Sequence, residues 1–332
     1  MSAGAAPGSR FQRYLLPGFA FKAVVIGGGY ATGRELVEFF LPAGAWGGVY
    51  AMAAATALWS LVCMLTFVLA QALRSFDYRS FFQRLLGPLW WTFELAYLAL
   101  LIVLLAVFGA AAGAIGQAVF GWPPLAGAMC LVAAIAAVVS FGNESVERVF
   151  KWVSFFLYGV YALFAALALS AFGDRIQAAF AAPPPAAGWL GDGLTYAGYN
   201  LVGAVVILPV ARHFAGRRDA AVAGLLAGPL AMLPALAFFV CMVGFQDQIA
   251  DAALPSDYLL QRLGLPWFHA LFQLMVFAAL LESGAGAVRD QRARRRGLRA
   301  RRGRGRRARG WRWPRRCCWA RCSSPTASAW WR

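Results

Sequence analysis

With 332 residues, 61% of them hydrophobic, and a mean hydropathy of +0.61, the chain is too apolar for a soluble domain, in which apolar residues make up about 45–50%. Its net charge of +17 would suit a nucleic-acid partner if it were spread over the surface, but 17 Arg and a single Asp sit in residues 289–332, and residues 1–288 hold 14 basic against 13 acidic side chains. The composition therefore excludes a soluble nucleic-acid binder for the body of the chain and predicts an integral membrane protein with a basic tail.

A bilayer core takes about 20 apolar residues per helix, and eight stretches approach that length: residues 14–42, 46–73, 88–119, 124–141, 149–172, 193–211, 220–245 and 265–287. The first carries Glu35 and Glu38 with no small-residue cleavage site behind it, so it reads as a retained span and not as a signal peptide. With the N-terminus in the cytoplasm, the inner loops hold ten basic residues, among them Arg10, Arg13, Arg148, Lys151 and Arg212, and the outer loops only Arg175 and Arg262. That bias predicts a multi-pass protein of the cell (inner) membrane with a cytoplasmic N-terminus. Cys63, Cys130 and Cys241 stand singly in apolar runs, where cysteine behaves as a small hydrophobe. His213 and His269 are too far apart to form a metal motif.

Inside the first span, Ile26-Gly27-Gly28-Gly29-Tyr30-Ala31-Thr32-Gly33 is followed at once by Arg34, Glu35 and Glu38. An interior glycine costs a helix about 1 kcal/mol relative to alanine, and backbone opened at membrane depth persists only where it is buried in protein or lines a watery cavity. Secondary transporters bind solutes and coupling ions at such breaks. The glycines fit neither soluble phosphate motif. Gly33 comes one place late for a dinucleotide fingerprint after Gly27 and Gly29, and Arg34 with Glu35 stands where a phosphate loop needs Lys and Ser or Thr. Glycines that only bring helices close are the remaining alternative. By spacing, Arg34 pairs with Glu38 one turn on, which leaves Glu35 to hold a cationic group or a proton. Lys22, nearer the cytoplasmic end, is expected to snorkel. Glu94, just after Trp90 and Trp91, reads equally as an interfacial or a functional residue.

A proline-rich connector, Ala181-Ala182-Pro183-Pro184-Pro185-Ala186-Ala187-Gly188, follows the fifth span on the outer side and divides the chain into two halves. The second half opens with Gly191-Asp192-Gly193-Leu194-Thr195-Tyr196-Ala197-Gly198-Tyr199-Asn200, again polar and punctuated by glycine. Interrupted spans in matching positions of two halves are the strongest sequence pointer to an inverted-repeat transporter site. Interhelical hydrogen bonding without a substrate is the plainer reading of Tyr199 and Asn200.

The run from Ile26 to Glu38 resembles the opening helix of the YkvI-type membrane proteins, which are similar in turn to the amino acid, polyamine and organocation transporter superfamily. The likeness covers residues 11–286 in span order. It implies an all-α, LeuT-like inverted-repeat bundle, truncated here to about eight spans: a first repeat at 11–172, a connector at 173–192 and a partial second repeat at 193–287. It also implies broken first and sixth helices at the substrate site and an ion site between the first and eighth, which carries over to Glu282 and Ser283. Arg34 replaces a more usual neutral polar residue and leaves the coupling ion open between Na⁺ and H⁺.

Beyond Gly286 the hydrophobicity collapses. Residues 288–332 combine Arg, Gly, Trp and clustered Cys317, Cys318 and Cys322 without any Lys, where an inverted repeat would place two further apolar spans. The tail reads as disordered or as GC-rich coding sequence in the wrong frame. RNA binding through phosphate contacts and stacking, or a regulatory tail drawn to anionic lipid, are the alternatives.

The expected function is secondary active transport of an amino acid or related small organic solute by alternating access. Gly27, Gly28, Gly29, Tyr30 and Thr32 with Glu35 would line the pocket from one side, and Tyr196, Tyr199 and Asn200 from the other. Half-helix dipoles would draw the solute's carboxylate and Glu35 its cationic group. No enzyme is expected, since no nucleophile with a base, metal cluster or paired acids can be read from the spacing. No cofactor is expected apart from Na⁺ as coupling ion; the expected partners are the solute and the bilayer, with no specific nucleic acid, and the sequence leaves the oligomeric state open. The rival is a non-transporting membrane sensor or assembly protein whose helix breaks serve packing alone.

Overall fold

The computed structural model describes the backbone of residues 9–183, 188–252 and 254–309, and the regular structure of these residues is all helical. Residues 184–187 of the connector and 310–332 of the tail lie outside the described residues. The described residues up to 290 form one compact unit in which both expected halves pack together, and those from 291 to 309 belong to a second. Among the described residues, five helical stretches are long and apolar enough to cross a membrane: Arg34–Leu73, Tyr78–Phe120, Glu147–Ala181, Arg217–Ile249 and Pro266–Val288, with Pro124–Ser140 a shorter apolar helix. The expected first and sixth spans are helical but interrupted, and so do not count among the five.

A π-helical turn at Phe11–Leu15 leads into α1 (Leu16–Val25), then α2 (Gly28–Ala31), α3 (Arg34–Phe39) and the long α4 (Gly44–Leu73). Short α5 (Tyr78–Leu86) is capped by Asp77, which accepts from Ser80 N at 2.9 Å, and turns Tyr78 and Phe81 inward. α6 (Trp90–Phe120) ends at left-handed Gly121, and Pro123-Pro124 starts α7 (Pro124–Ser140). α8 (Asn143–Ala181) is bent at Phe172. α9 (Trp189–Asn200) stops in a turn before α10 (Gly203–Val206) and a 3₁₀ stretch, Leu208–His213. α11 (Arg217–Met242), α12 (Gln246–Ile249), α13 (Pro255–Leu263) and α14 (Pro266–Arg309) complete the order.

Helix association without a hydrophobic driving force needs small residues that let backbones approach, and α4 against α11 is built that way. A β-carbon on Gly224 would meet the Met64 backbone at 2.3 Å, and one on Gly228 would meet Ser60 Oγ at 2.3 Å. α11 also contains Pro229 and Pro234. A helical proline leaves the carbonyl four residues earlier without its donor, and in lipid such a group must find another. It does so in both cases: Ser60 Oγ donates to Leu225 O at 3.0 Å, and Tyr158 of α8 donates to Leu230 O. Large apolar side chains, among them Leu65, Leu95, Ile102 and Leu125, point away from this core on α4, α6 and α7.

Candidate functional site

The expected break in the first span is present and consists of two interruptions. α1 ends where Ile26 leaves the helical region (φ −77°, ψ 81°), and a second gap falls at Thr32-Gly33, where Gly33 takes φ 85°. A side chain at Gly33 would be strained in that left-handed conformation and crowded by Phe238 at 3.0 Å. The carbonyl freed at Thr32 accepts from Ser256 N at 3.0 Å. Gly27 serves packing as well, since a β-carbon there would meet the Phe108 ring at 2.8 Å. Arg34 pairs with Glu38 at 3.2 Å as its spacing predicts, and it also donates to Ala250 O at 2.8 Å.

Glu35 is the carboxylate this arrangement leaves over, and it is turned inward. Its Oε2 is buried without a hydrogen-bond partner, as are the hydroxyls of Tyr30, Tyr161 and Tyr196. These tyrosines are at most 1% exposed. Tyr196 and Tyr199 of α9 stand close enough to act electrostatically on Glu35, as the carboxylate does on Tyr30, although Tyr196 Oη and Glu35 Oε2 do not reach hydrogen-bond geometry. Phe39, Phe40 and Trp59 enclose the Tyr196 ring at centroid distances of 5.5, 4.8 and 5.5 Å. Tyr158 and Tyr161 of α8 also act electrostatically on Tyr30. One carboxylate thus sits in a tyrosine cluster between two interrupted helices.

Of the residues expected at the site, Tyr30, Glu35, Tyr196 and Tyr199 are brought together. Asn200 is buried beside them, but its Nδ2 donates to Tyr196 O at 3.1 Å within its own helix. Thr32 is buried next to the second gap, and Gly28 and Gly29 open α2. Glu282 and Ser283 stand against α1, with Tyr158 of α8 within electrostatic reach of Glu282. Ser283 Oγ lies 2.6 Å from Ala23 O and 2.7 Å from Ile26 O, at the end of α1.

Lys22 does not snorkel. It is 0% exposed, and its Nζ donates to Glu282 Oε2 at 2.6 Å. Its place is inside the bundle, where pairing with a carboxylate compensates the buried ammonium. Glu94 is half-buried and feels the charge of Arg79, whose guanidinium lies over the Trp90 ring at 4.5 Å. Lys22, Tyr158 and Tyr161 were not expected at the site. A lysine and a glutamate both at membrane depth carried the signal for the first, because each needs an opposite charge; nothing in the α8 sequence marks the two tyrosines. A separate cavity of about 570 Å³ is lined by Gln12, Glu147, Arg148, Lys151, Arg212 and His213. None of the expected site residues borders it.

Comparison of the chain with protein-family models, with curated proteins and with solved structures finds no match in any of the three. What the fold defines is a class: among the described residues the regular structure is all helical, with five helices long and apolar enough to span a membrane.

Proposed function

We propose that this chain is a secondary transporter of an amino acid or a related small organic solute, moved by alternating access and driven by an ion gradient, with the LeuT-like inverted-repeat architecture that the Ile26–Glu38 likeness implies. The observation that carries the reading is Glu35, whose carboxylate is turned inward among Tyr30, Tyr196 and Tyr199 between α1–α3 and α9–α10, with its Oε2 and the hydroxyls of Tyr30 and Tyr196 buried and short of full hydrogen-bond geometry. Leaving a buried polar group unsatisfied costs about 1–3 kcal/mol, a cost that a bound polar solute would relieve. The carboxylate suits an ammonium group, and the tyrosine faces suit the same cation. The test is uptake of amino acids and small amines into proteoliposomes by the wild type and by Glu35→Gln. Loss of uptake with normal expression and thermal stability supports the reading, whereas wild-type liposomes that take up nothing overturn it.

The close packing of Gly27 on Phe108 and the helix-internal bond of Asn200 favour a second reading, a sensor or assembly protein in which the breaks serve packing. In that case Glu35→Gln lowers the yield of folded protein without any solute-dependent change.

A further inference from the structure

Glu282 of α14 is 1% exposed, and three groups on two other helices face it: the Lys22 ammonium of α1 at 2.6 Å, Ser154 Oγ of α8 at 3.3 Å, and Tyr158 of α8 within electrostatic reach. The next residue, Ser283, has its hydroxyl within 2.9 Å of three carbonyls, those of Ala23, Ile26 and Ala279. One hydroxyl proton serves only one of them at a time. The place is therefore an oxygen cluster beside a carboxylate, at the C-terminal end of α1, where the helix dipole is negative. Carbonyls, a hydroxyl and a carboxylate around a broken helix end are the donor set that a hard cation takes.

That cation is already covalently part of the chain. A buried carboxylate is tolerated when one opposite charge and hydrogen bonds compensate it, and Lys22 with Ser154 does so. A sodium ion added here would set two positive charges against one carboxylate at a buried site. We propose that the Lys22 ammonium is the resident cation of this site. The residues present therefore do not fit Na⁺, and the α1–α14 contact is held by an internal charge pair instead of a metal ion. For transport, which rests on the reading above, it follows that solute movement is indifferent to a sodium gradient. The cation preference of the site itself does not depend on whether any solute moves.

The test is the thermal unfolding midpoint of the detergent-purified full chain in sodium chloride against choline chloride at equal ionic strength. The wild type is expected to show one midpoint in both salts. Lys22→Ala is expected to have a lower midpoint in choline chloride that sodium raises, because Na⁺ enters beside the uncompensated Glu282. Lys22→Ala/Glu282→Gln is expected to lose that sodium response. A wild-type midpoint that rises in sodium overturns the proposal, and so does a folded Lys22→Ala that ignores sodium. If Lys22→Ala folds in neither salt, Lys22→Gln, which keeps a polar head against Glu282, is read by the same two criteria. Because the readout is cation binding, a failure of the transporter reading would leave these outcomes unchanged.

Discussion

The Trp59 indole nitrogen donates to the Ala197 carbonyl across 3.1 Å, tying the middle of α4 to α9 one turn before α9 stops. The ring is fully buried, with Phe21 at 5.5 Å on one side and Tyr196 at 5.5 Å on the other. Trp59→Phe keeps most of that packing and removes the donor, so it is expected to cost about 1 kcal/mol. Trp59→Ala empties the space and is expected to cost about 3–5 kcal/mol. Chemical denaturation in a fixed detergent checks both values, and equal losses for the two variants would show that the hydrogen bond, not the ring, holds α9.

The two proline-freed carbonyls of α11 allow a double-mutant test. Tyr158→Phe leaves Leu230 O without a donor and is expected to cost about 1–3 kcal/mol. Pro234→Ala restores a backbone N–H to the same carbonyl, so the Tyr158→Phe penalty should shrink in a Pro234→Ala background. Additive losses measured by thermal unfolding would show that the two sites do not share this carbonyl.

Gly224 and Gly159 make a contrasting pair. Gly224→Val drives a side chain into the Met64 backbone and is expected to abolish the folded monodisperse peak in size-exclusion chromatography. Gly159 of α8 has nothing within 4 Å of an added β-carbon. Gly159→Ala is therefore expected to raise stability by up to about 1 kcal/mol through helix propensity alone.

Arg34 and Glu38 should not respond alike. The pair is exposed, 42% and 59% for the two side chains, and exposed pairs contribute roughly 0–1 kcal/mol, so Glu38→Ala is expected to be nearly neutral. Arg34→Ala also removes the bonds to Ala250 O and Ala252 O, which anchor the start of α3 to the segment before α13. Limited proteolysis near residue 250 is expected to speed up in Arg34→Ala and to stay unchanged in Glu38→Ala.

Helical periodicity and glycine placement were legible in the sequence. Residues 46–73 and 124–141 were read as spans within two residues of the helices found, the interruption near Gly27 was anticipated, and Arg34 found Glu38 by its spacing. Glu35 was correctly left over from that pair, because i,i+4 geometry is local. The partners of Lys22 were not legible, since Glu282 is 260 residues away and only tertiary packing decides which faces of α1 and α14 meet. Tyr158 and Tyr161 were missed for the same reason. α8 is 39 residues long and exceeds the apolar run at 149–172 because its polar ends, Asn143 to Arg148 and Asp174 to Gln177, lie outside what hydropathy registers.

The outward faces of α4, α6 and α7 carry a further consequence. Ile102 and Leu125 are each 72% exposed and Leu95 63%, a girdle that water alone would drive into precipitates. The smallest particle that can be purified and weighed is therefore chain plus amphiphile. Its mass in light scattering should exceed that of the 35.8 kDa polypeptide by a bound ring of detergent.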